Sequence, residues 1–226
     1  MENNYQGWTG NKNSTYTCLG ASNHSKEERE VHDYYATDPI AAEYLLKIEP
    51  QITNVWEMCV GEGNLAEPYR REGKLKAISD LIDRGYYPEG IMTSYGKDFL
   101  QMSKVWKGDM VSNPPYSIAV EWTKHCLDLL QDGHYLALFM KITFLEGKER
   151  RKFFEDNPPI RVWVSSSRIQ CAKNNEFEVP KKDKNGNVVY DKTGNPIMVK
   201  MSSAACYCWY IWQKGYKGPT ELKWFN

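Results

Sequence analysis

Short apolar runs alternate along the chain with stretches whose apolar positions recur three and four residues apart. That is the pattern of strands interleaved with helices. Ile40, Ala41, Tyr44, Leu45 and Ile48 form one helical stripe. It is preceded by Thr37-Asp38-Pro39, where Thr37 or Asp38 can cap the helix and Pro39 suits its first position. Asn54–Val60 reads as a strand, followed by Gly61-Glu62-Gly63-Asn64-Leu65-Ala66 and a second helix. A strand over Lys76–Ser79 ends at Asp80, and Met110-Val111 is a third apolar run ahead of the helical spacing of Ile118–Leu130. His134–Met140 and Ile160–Val164 are further strands, separated by the charged stretch Lys148–Asp156. Ala204–Gln213 closes the sheet, and the tail keeps Trp224 and Phe225 for packing. The alternation predicts an α/β fold with a doubly wound, mostly parallel sheet. The hairpin-like link between the last two strands predicts one antiparallel strand near the edge. No internal repeat is expected.

The two ends of this pattern differ from its middle. Residues 1–24 are rich in Asn, Gly, Ser and Thr without periodicity and read as a polar arm, with Trp8 and Tyr16 available to dock. Ser25 and Glu28 have capping-box spacing for a helix start, so residues 1–32 are set apart from a single domain over 33–226. Within that domain Cys171–Ser203 is long and polar, and Asn185-Gly186 and Thr193-Gly194-Asn195 mark hairpin turns. We read it as a hairpin insertion between two core strands, mildly basic through Lys173, Lys181, Lys182, Lys184, Lys192 and Lys200.

Composition narrows the classes. A chain of 226 residues suits one domain with a sizeable core. Formal net charge is zero, so a nucleic-acid partner would have to be held by a local patch rather than a global field. The six cysteines form no C-x-x-C pair and the four histidines lack metal spacing, which predicts a metal-free protein of a reducing, cytoplasmic compartment. There is no apolar run long enough for a membrane span or signal peptide.

The chemistry concentrates in Asp109–Ser117, DMVSNPPYS. Two prolines stop the short strand, so Asn113-Pro114-Pro115-Tyr116 sits on a strand-to-helix turn, at the sheet edge where open α/β folds place ligands. The Asn113 amide oxygen and the Pro114 carbonyl are two acceptors at fixed separation, suited to both hydrogens of an exocyclic amine or amide. Tyr116 can stack on a planar substrate. Asn157-Pro158-Pro159-Ile160 repeats the first three residues after a charged stretch and reads as a helix stop with no chemistry. Gly61 and Gly63 let the backbone approach a ligand, or merely turn tightly, and the spacing also fits the dinucleotide fingerprint of NAD enzymes. Asp80, at the end of the second strand, is placed to accept from ribose hydroxyls or is a solvated loop carboxylate. Asp98 and Phe99 could bond and cover an adenine, or form a surface turn with Phe99 in the core. The basic run Lys148, Arg150, Arg151 and Lys152 could contact phosphate or form a solvated helix face.

Taken in order, Tyr-Ala-Thr-Asp-Pro, Glu57-x3-Gly61-x-Gly63, Asp80, Asp98-Phe99 and Asn113-Pro-Pro-Tyr116 resemble the S-adenosylmethionine-dependent N6-adenine methyltransferases of DNA. The wider chain resembles a small phage and prophage group of them. This likeness runs from residue 33 to the end through Asp33–Pro39, SDLIDRGY at Ser79–Tyr86, KITFLEG at Lys141–Gly147 and Trp209–Tyr216. The resemblance implies a seven-stranded Rossmann-like methyltransferase sheet and S-adenosylmethionine as cofactor. Thr37 would help hold the methionine carboxylate, and Glu57, Gly61 and Gly63 would line the methionine part. Asp80 would hold the ribose, and Asp98 with Phe99 the adenine. Asn113 and Pro114 would take the target amine, and Pro115 and Tyr116 complete the motif, Tyr116 stacking on a base extruded from its duplex. NAD binding loses ground, since nothing resembling a hydride-transfer constellation accompanies the loop.

Such motifs also serve enzymes that methylate RNA adenines or glutamine amides of proteins, and a scaffold without catalysis is the alternative of another class. Little chain separates Asp98 from Asn113, so target recognition falls to the insertion 171–203. Double-stranded DNA is the expected partner, with a monomer or weak homodimer, and either specificity is short and loose or a helper subunit adds to it.

Overall fold

The structure, a computed structural model, describes residues 35–172, 175, 177–200 and 205–226. The polar arm and the helix expected after Ser25 lie outside the described residues. In chain order the elements are β1 (Ala36–Thr37), α1 (Ile40–Ile48), β2 (Val55–Glu57), α2 (Ala66–Arg71), β3 (Leu75–Asp80), β4 (Met92–Tyr95), β5 (Met110–Ser112) and α3 (Ala119–Leu129). There follow β6 (Tyr135–Lys141), α4 (Lys148–Asp156), β7 (Arg161–Ser165), β8 (Cys171–Ala172), β9 (Glu178–Pro180), β10 (Met198–Lys200), β11 (Tyr207–Gln213) and β12 (Glu221–Phe225).

Eight strands make the main sheet, in the order β12-β7-β11-β6-β5-β2-β3-β4. β11 runs antiparallel to both β6 and β7, and the remaining neighbours pair in parallel. The sheet therefore has one strand more than the seven the resemblance implies. The tail supplies it: β12 pairs along β7 and closes that edge. Phe225 packs edge-on against Tyr44, while Trp224 stands 61 % exposed, so the expected packing role holds for Phe225 alone. β4 left no apolar run to read because it is the opposite edge, and Met92 and Thr93 face solvent.

Strand alternation sends successive side chains to opposite faces, and both faces are covered. Met110, Leu136, Leu138, Met140, Tyr210 and Trp212 pack with α3 and with Phe153 of α4. Val111, Ala137, Phe139, Trp209 and Ile211 pack with α1 and α2 on the other side. Buried Asp109 ties the amino end of β5 in place, accepting from the backbone N–H of Thr53 at 2.6 Å and of Tyr135 at 2.8 Å.

β3 and β5 flank β2 on opposite sides. The chain leaves β2 towards one edge, then returns and builds towards the other. The crevice beyond the carboxyl ends of β2 and β5 is thus the switch point at which such sheets bind ligands.

The insertion carries a repeat that hydrophobic patterning does not register. Asp183-Lys184-Asn185-Gly186-Asn187 recurs eight residues later as Asp191-Lys192-Thr193-Gly194-Asn195. In each copy the aspartate Oδ1 accepts from the backbone N–H two and four residues on, at 2.8 and 3.0 Å. The two turns hang from a hairpin of β9 and β10, closed by a ring of bonds from Lys181 to Ile197, Ile197 to Val189 and Val189 to Lys181.

Candidate active site at the switch point

A cleft opens at the carboxyl ends of β2 and β5. Thr37, Asp80, Asp98, Phe99, Asn113, Pro114, Pro115 and Tyr116 all line it, although they come from four separate stretches of chain. Glu57, Gly61 and Gly63 do not line it, although their neighbours Met58, Val60, Glu62 and Asn64 do.

Asn113 follows β5 directly, and its amide is held from one side. Nδ2 donates to Thr37 Oγ1 at 2.8 Å and approaches the Tyr35 carbonyl at 3.5 Å. A carbonyl can only accept, so the nitrogen must face it, and Oδ1 turns the other way. That oxygen is buried and has no protein partner. An unpaired buried acceptor is costly, and at a ligand cleft it marks where a donor belongs. Next along the turn, Tyr116 donates to Cys171 Sγ at 3.7 Å, and the Lys141 ammonium lies 5.3 Å from its ring centroid. Burial pushes the Tyr116 hydroxyl well above its usual range, so it stays protonated at neutral pH.

The glycine loop serves packing as well as approach. Gly61 has φ +55°, and its N–H donates to Asp80 Oδ2 at 2.8 Å. Asp80 Oδ1 accepts from the Ile82 N–H at 3.0 Å, with Arg84 Nη1 at 3.6 Å. Each carboxylate oxygen can accept more than once, so Asp80 retains capacity towards the cleft. Gly63, at φ +92°, lies under the Tyr86 ring, whose carbons are 2.5 Å from where a Cβ would stand. Tyr86 is fixed there by donating to Glu67 Oε2 at 2.9 Å. A side chain thus occupies the approach that a dinucleotide pyrophosphate would need over the second glycine.

Asp98 caps the short turn at Phe99–Gln101 by accepting from the Leu100 N–H at 3.0 Å. Phe99 is buried against Trp122, with ring centroids 4.4 Å apart, and against Trp56 at 5.5 Å. It is core and cleft wall together. Glu57 lies 1 % exposed at the end of β2, where Oε1 accepts from Ser112 Oγ at 2.7 Å and Oε2 has no partner. Burial pushes its carboxyl up to about 8; the Asp80 charge adds to this, while the Ser112 bond and a backbone bond from Cys59 oppose it.

Sequence reasoning gave Cys171 no role, yet its sulfur lies within 3.8 Å of Thr37 Oγ1, Asn113 Nδ2 and Tyr116 Oη. It arrives through the two-residue pairing of β1 with β8, a contact too short to leave a sequence signature. Trp122 was also missed. It lines the cleft with a buried indole N–H that has no protein partner.

The basic helix behaves as a solvated face. In α4, Arg151 pairs with Glu155 and Lys152 with Asp156 one turn on, and all four side chains are more than half exposed. Asn157 ends that helix, its N–H donating to the Phe153 carbonyl at 2.8 Å. Among the described residues no group of His, Cys, Asp and Glu is arranged to hold a metal, and no helix is long and apolar enough to cross a membrane.

No protein-family model matches the sequence, and a search of curated proteins finds no match. Solved structures do match. A putative class I S-adenosylmethionine-dependent methyltransferase from Listeria monocytogenes superposes with a TM-score of 0.52 at 14 % identity, covering 95 % of this chain and 71 % of that one. A putative hemolysin from Streptococcus thermophilus superposes with a TM-score of 0.50 at 9 % identity, covering 81 % and 67 %. At such identities the likeness speaks for fold, and it agrees with the strand order and the switch-point cleft. The chain has the Rossmann-like fold of S-adenosylmethionine-dependent methyltransferases.

Proposed function

We propose that this protein is an enzyme that transfers a methyl group from S-adenosylmethionine to the N6 amine of adenine in DNA. The observation that carries the reading is Asn113 Oδ1, a buried acceptor without a partner on the wall of the switch-point cleft. Its neighbour Pro114 supplies a second carbonyl acceptor for the other amine hydrogen, and Tyr116 offers a ring for the base. Accepting both hydrogens concentrates and aims the nitrogen lone pair, which a weakly nucleophilic aromatic amine requires.

The residues present fit the cofactor. Carboxylates and aromatic rings line the cleft, the groups that a nucleoside's hydroxyls, amine and base call for. Asp80 would accept from ribose hydroxyls, Asp98 would accept from the adenine amine, and Phe99 would cover the ring. Glu57, Gly61 and Gly63 would stand near the methionine part, and Thr37, whose hydroxyl already bonds Asn113, would border it without holding it. The bound cofactor supplies an electrophilic sulfonium methyl, so the amine needs no prior deprotonation. Transfer would form the nitrogen–carbon bond as the methyl–sulfur bond breaks, the sulfur leaving as a neutral thioether, and the amine's extra proton would pass to solvent.

DNA as partner rests on the insertion. Lys181, Lys182, Lys184, Lys192 and Lys200 outnumber Glu178, Asp183 and Asp191, and the Asp183 and Asp191 carboxylates are occupied by their own turns. A duplex site requires the target base to be extruded. The insertion is small for a sequence reader, which favours a short recognition site or a helper subunit. The chain itself would act in the cytoplasm as a monomer or weak homodimer.

The test is expression in a host lacking DNA methylation, followed by sequencing for modified adenines and labelled methyl transfer in vitro. N6-methyladenine in a fixed sequence context is expected. Label found only in RNA or protein glutamine would replace the substrate, and no transfer to any amine would overturn the reading. Deleting residues 178–200 should weaken DNA binding and flatten its salt dependence. Unchanged DNA affinity would remove the insertion from recognition.

A further inference from the structure

We infer that Thr37 is a positioning residue: its hydroxyl, with the Tyr35 carbonyl, locks the Asn113 amide so that Oδ1 is presented to the substrate amine. The inference rests on the methyl-transfer reading for its consequence, and on geometry for its existence.

A free asparagine amide can turn over, exchanging its oxygen and nitrogen. If Asn113 did so, Oδ1 would face the Tyr35 carbonyl at 3.5 Å, acceptor against acceptor, and the group presented to the cleft would be a donor. An amine that arrives with its hydrogens forward would then meet hydrogens. Orientation of this one amide therefore decides whether the site polarises its substrate or repels it.

Two features make Thr37 suited to hold the correct orientation. It is 3 % exposed, so the 2.8 Å bond from Asn113 Nδ2 has no competing water. Its hydroxyl has a second neighbour, since Cys171 Sγ lies 3.7 Å away, either group able to donate, and directly opposite in the β1–β8 pairing. Burial raises the Cys171 thiol above its usual range, so the sulfur is a neutral partner rather than a thiolate. Thr37 is β-branched and held in a strand, which restricts its χ1 and fixes the oxygen against which the amide rests. The clamp thus comes from β1 and β8, and β8 is the root of the insertion.

The test compares Thr37→Val, which keeps shape and loses the acceptor, with Thr37→Ser, which restores it. For Thr37→Val, kcat for methyl transfer should fall about tenfold or more, while the cofactor Kd stays within about threefold. Thr37→Ser should recover most of the loss. A readout independent of activity is the Asn113 side-chain NH2 resonance pair, identified by its absence in Asn113→Ala. In the wild-type protein it should be sharp and slow to exchange with solvent, and in Thr37→Val it should shift and exchange faster. Thr37→Ala, read by the same resonances, serves if valine impairs folding. Unchanged Asn113 resonances in the folded variant would overturn the positioning role. So would a large loss of cofactor affinity with kcat retained at saturation, which would make Thr37 a cofactor ligand instead. A wild-type protein that methylates nothing would overturn the functional reading separately, and the resonances would still decide the clamp.

Discussion

Asn113-Pro114-Pro115 and Asn157-Pro158-Pro159 are the same tripeptide in two settings. The first follows a central strand and lines the cleft, and its amide oxygen is buried without a partner. The second follows α4, where the Asn157 amide donates back to the Phe153 carbonyl at 3.4 Å and its own carbonyl accepts from the Trp212 indole at 3.0 Å. The backbone N–H, the backbone carbonyl and the amide nitrogen of Asn157 are all spent inside the fold. Chemistry at a motif therefore depends on what is left unsatisfied, not on the residues that compose it.

The largest test breaks the pair directly. Asn113→Ala should lower methyl transfer by about a hundredfold to a thousandfold, the scale of losing an aimed hydrogen-bonding group in a transition state. Cofactor binding should stay within a few fold, because the amide bonds protein on one side and, on the proposed reading, the substrate amine on the other. Asn157→Ala should leave the rate within about twofold. Steady-state kinetics at saturating cofactor, with calorimetric cofactor titration, checks both.

The fourth residue of each motif gives the next contrast. Tyr116 lines the cleft, whereas Ile160 packs at the start of β7. Removing a ring on which a base stacks costs about 1–3 kcal/mol, roughly tenfold to a hundredfold in binding. Tyr116→Ala should show that loss in KM or Kd for DNA, and Tyr116→Phe should show little of it. Equal loss in Tyr116→Phe would shift the role from the ring to its bond with Cys171.

What the sequence made legible follows from the same distinction. Apolar runs in central strands and the proline stop after β5 are local, so the turn and its position at a sheet edge could be read directly. The amide's free oxygen could not, because it depends on Tyr35 and Thr37 lying beside it in space. Gly63 shows the opposite error of locality. Its spacing suited either a ligand's approach or a tight turn, and the space over it belongs to Tyr86, twenty-three positions later and unrelated by periodicity. Edge strands β4 and β12 escaped because one face and one side are wet, so neither needs an apolar run. The turn repeat in the insertion escaped for a similar reason, being written in Asp, Asn and Gly rather than in hydrophobic residues.

The ground beneath the two motifs also differs. Behind the first, Glu57 is buried with one oxygen unpaired and a carboxyl pushed up to about 8. Near the second, Glu49 is equally buried but accepts from Arg161 and from the Trp163 indole. For Glu57 the sign is set by the raised value. Between the unfolded value near 4.5 and about 8, the folded state binds a proton that the unfolded state has lost, so stability falls as pH rises through that window. Glu57→Gln removes the titration. The fall in Tm between about pH 5 and about pH 8.5 should shrink by several degrees in that variant, at about 2–4 °C for each kcal/mol. Identical pH profiles for the two proteins would mean that Glu57 is charged in the fold.

The smallest effect belongs to the silent motif. Asn157 closes α4 by two bonds to the Phe153 carbonyl, one from its backbone and one from its amide. Alanine retains the backbone bond and loses the longer, partly exposed amide bond, a change of about 0.5–1 kcal/mol. The Trp212 indole still finds the residue's carbonyl, so the packing of β11 against α4 is kept. Asn157→Ala should therefore lower Tm by about 1–4 °C with cooperativity and activity intact. A drop of ten degrees or a lost methyl-transfer rate would show that this turn holds more of the fold than its hydrogen bonds indicate. The contrast between the two motifs would then be one of stability against chemistry rather than of closure against opening.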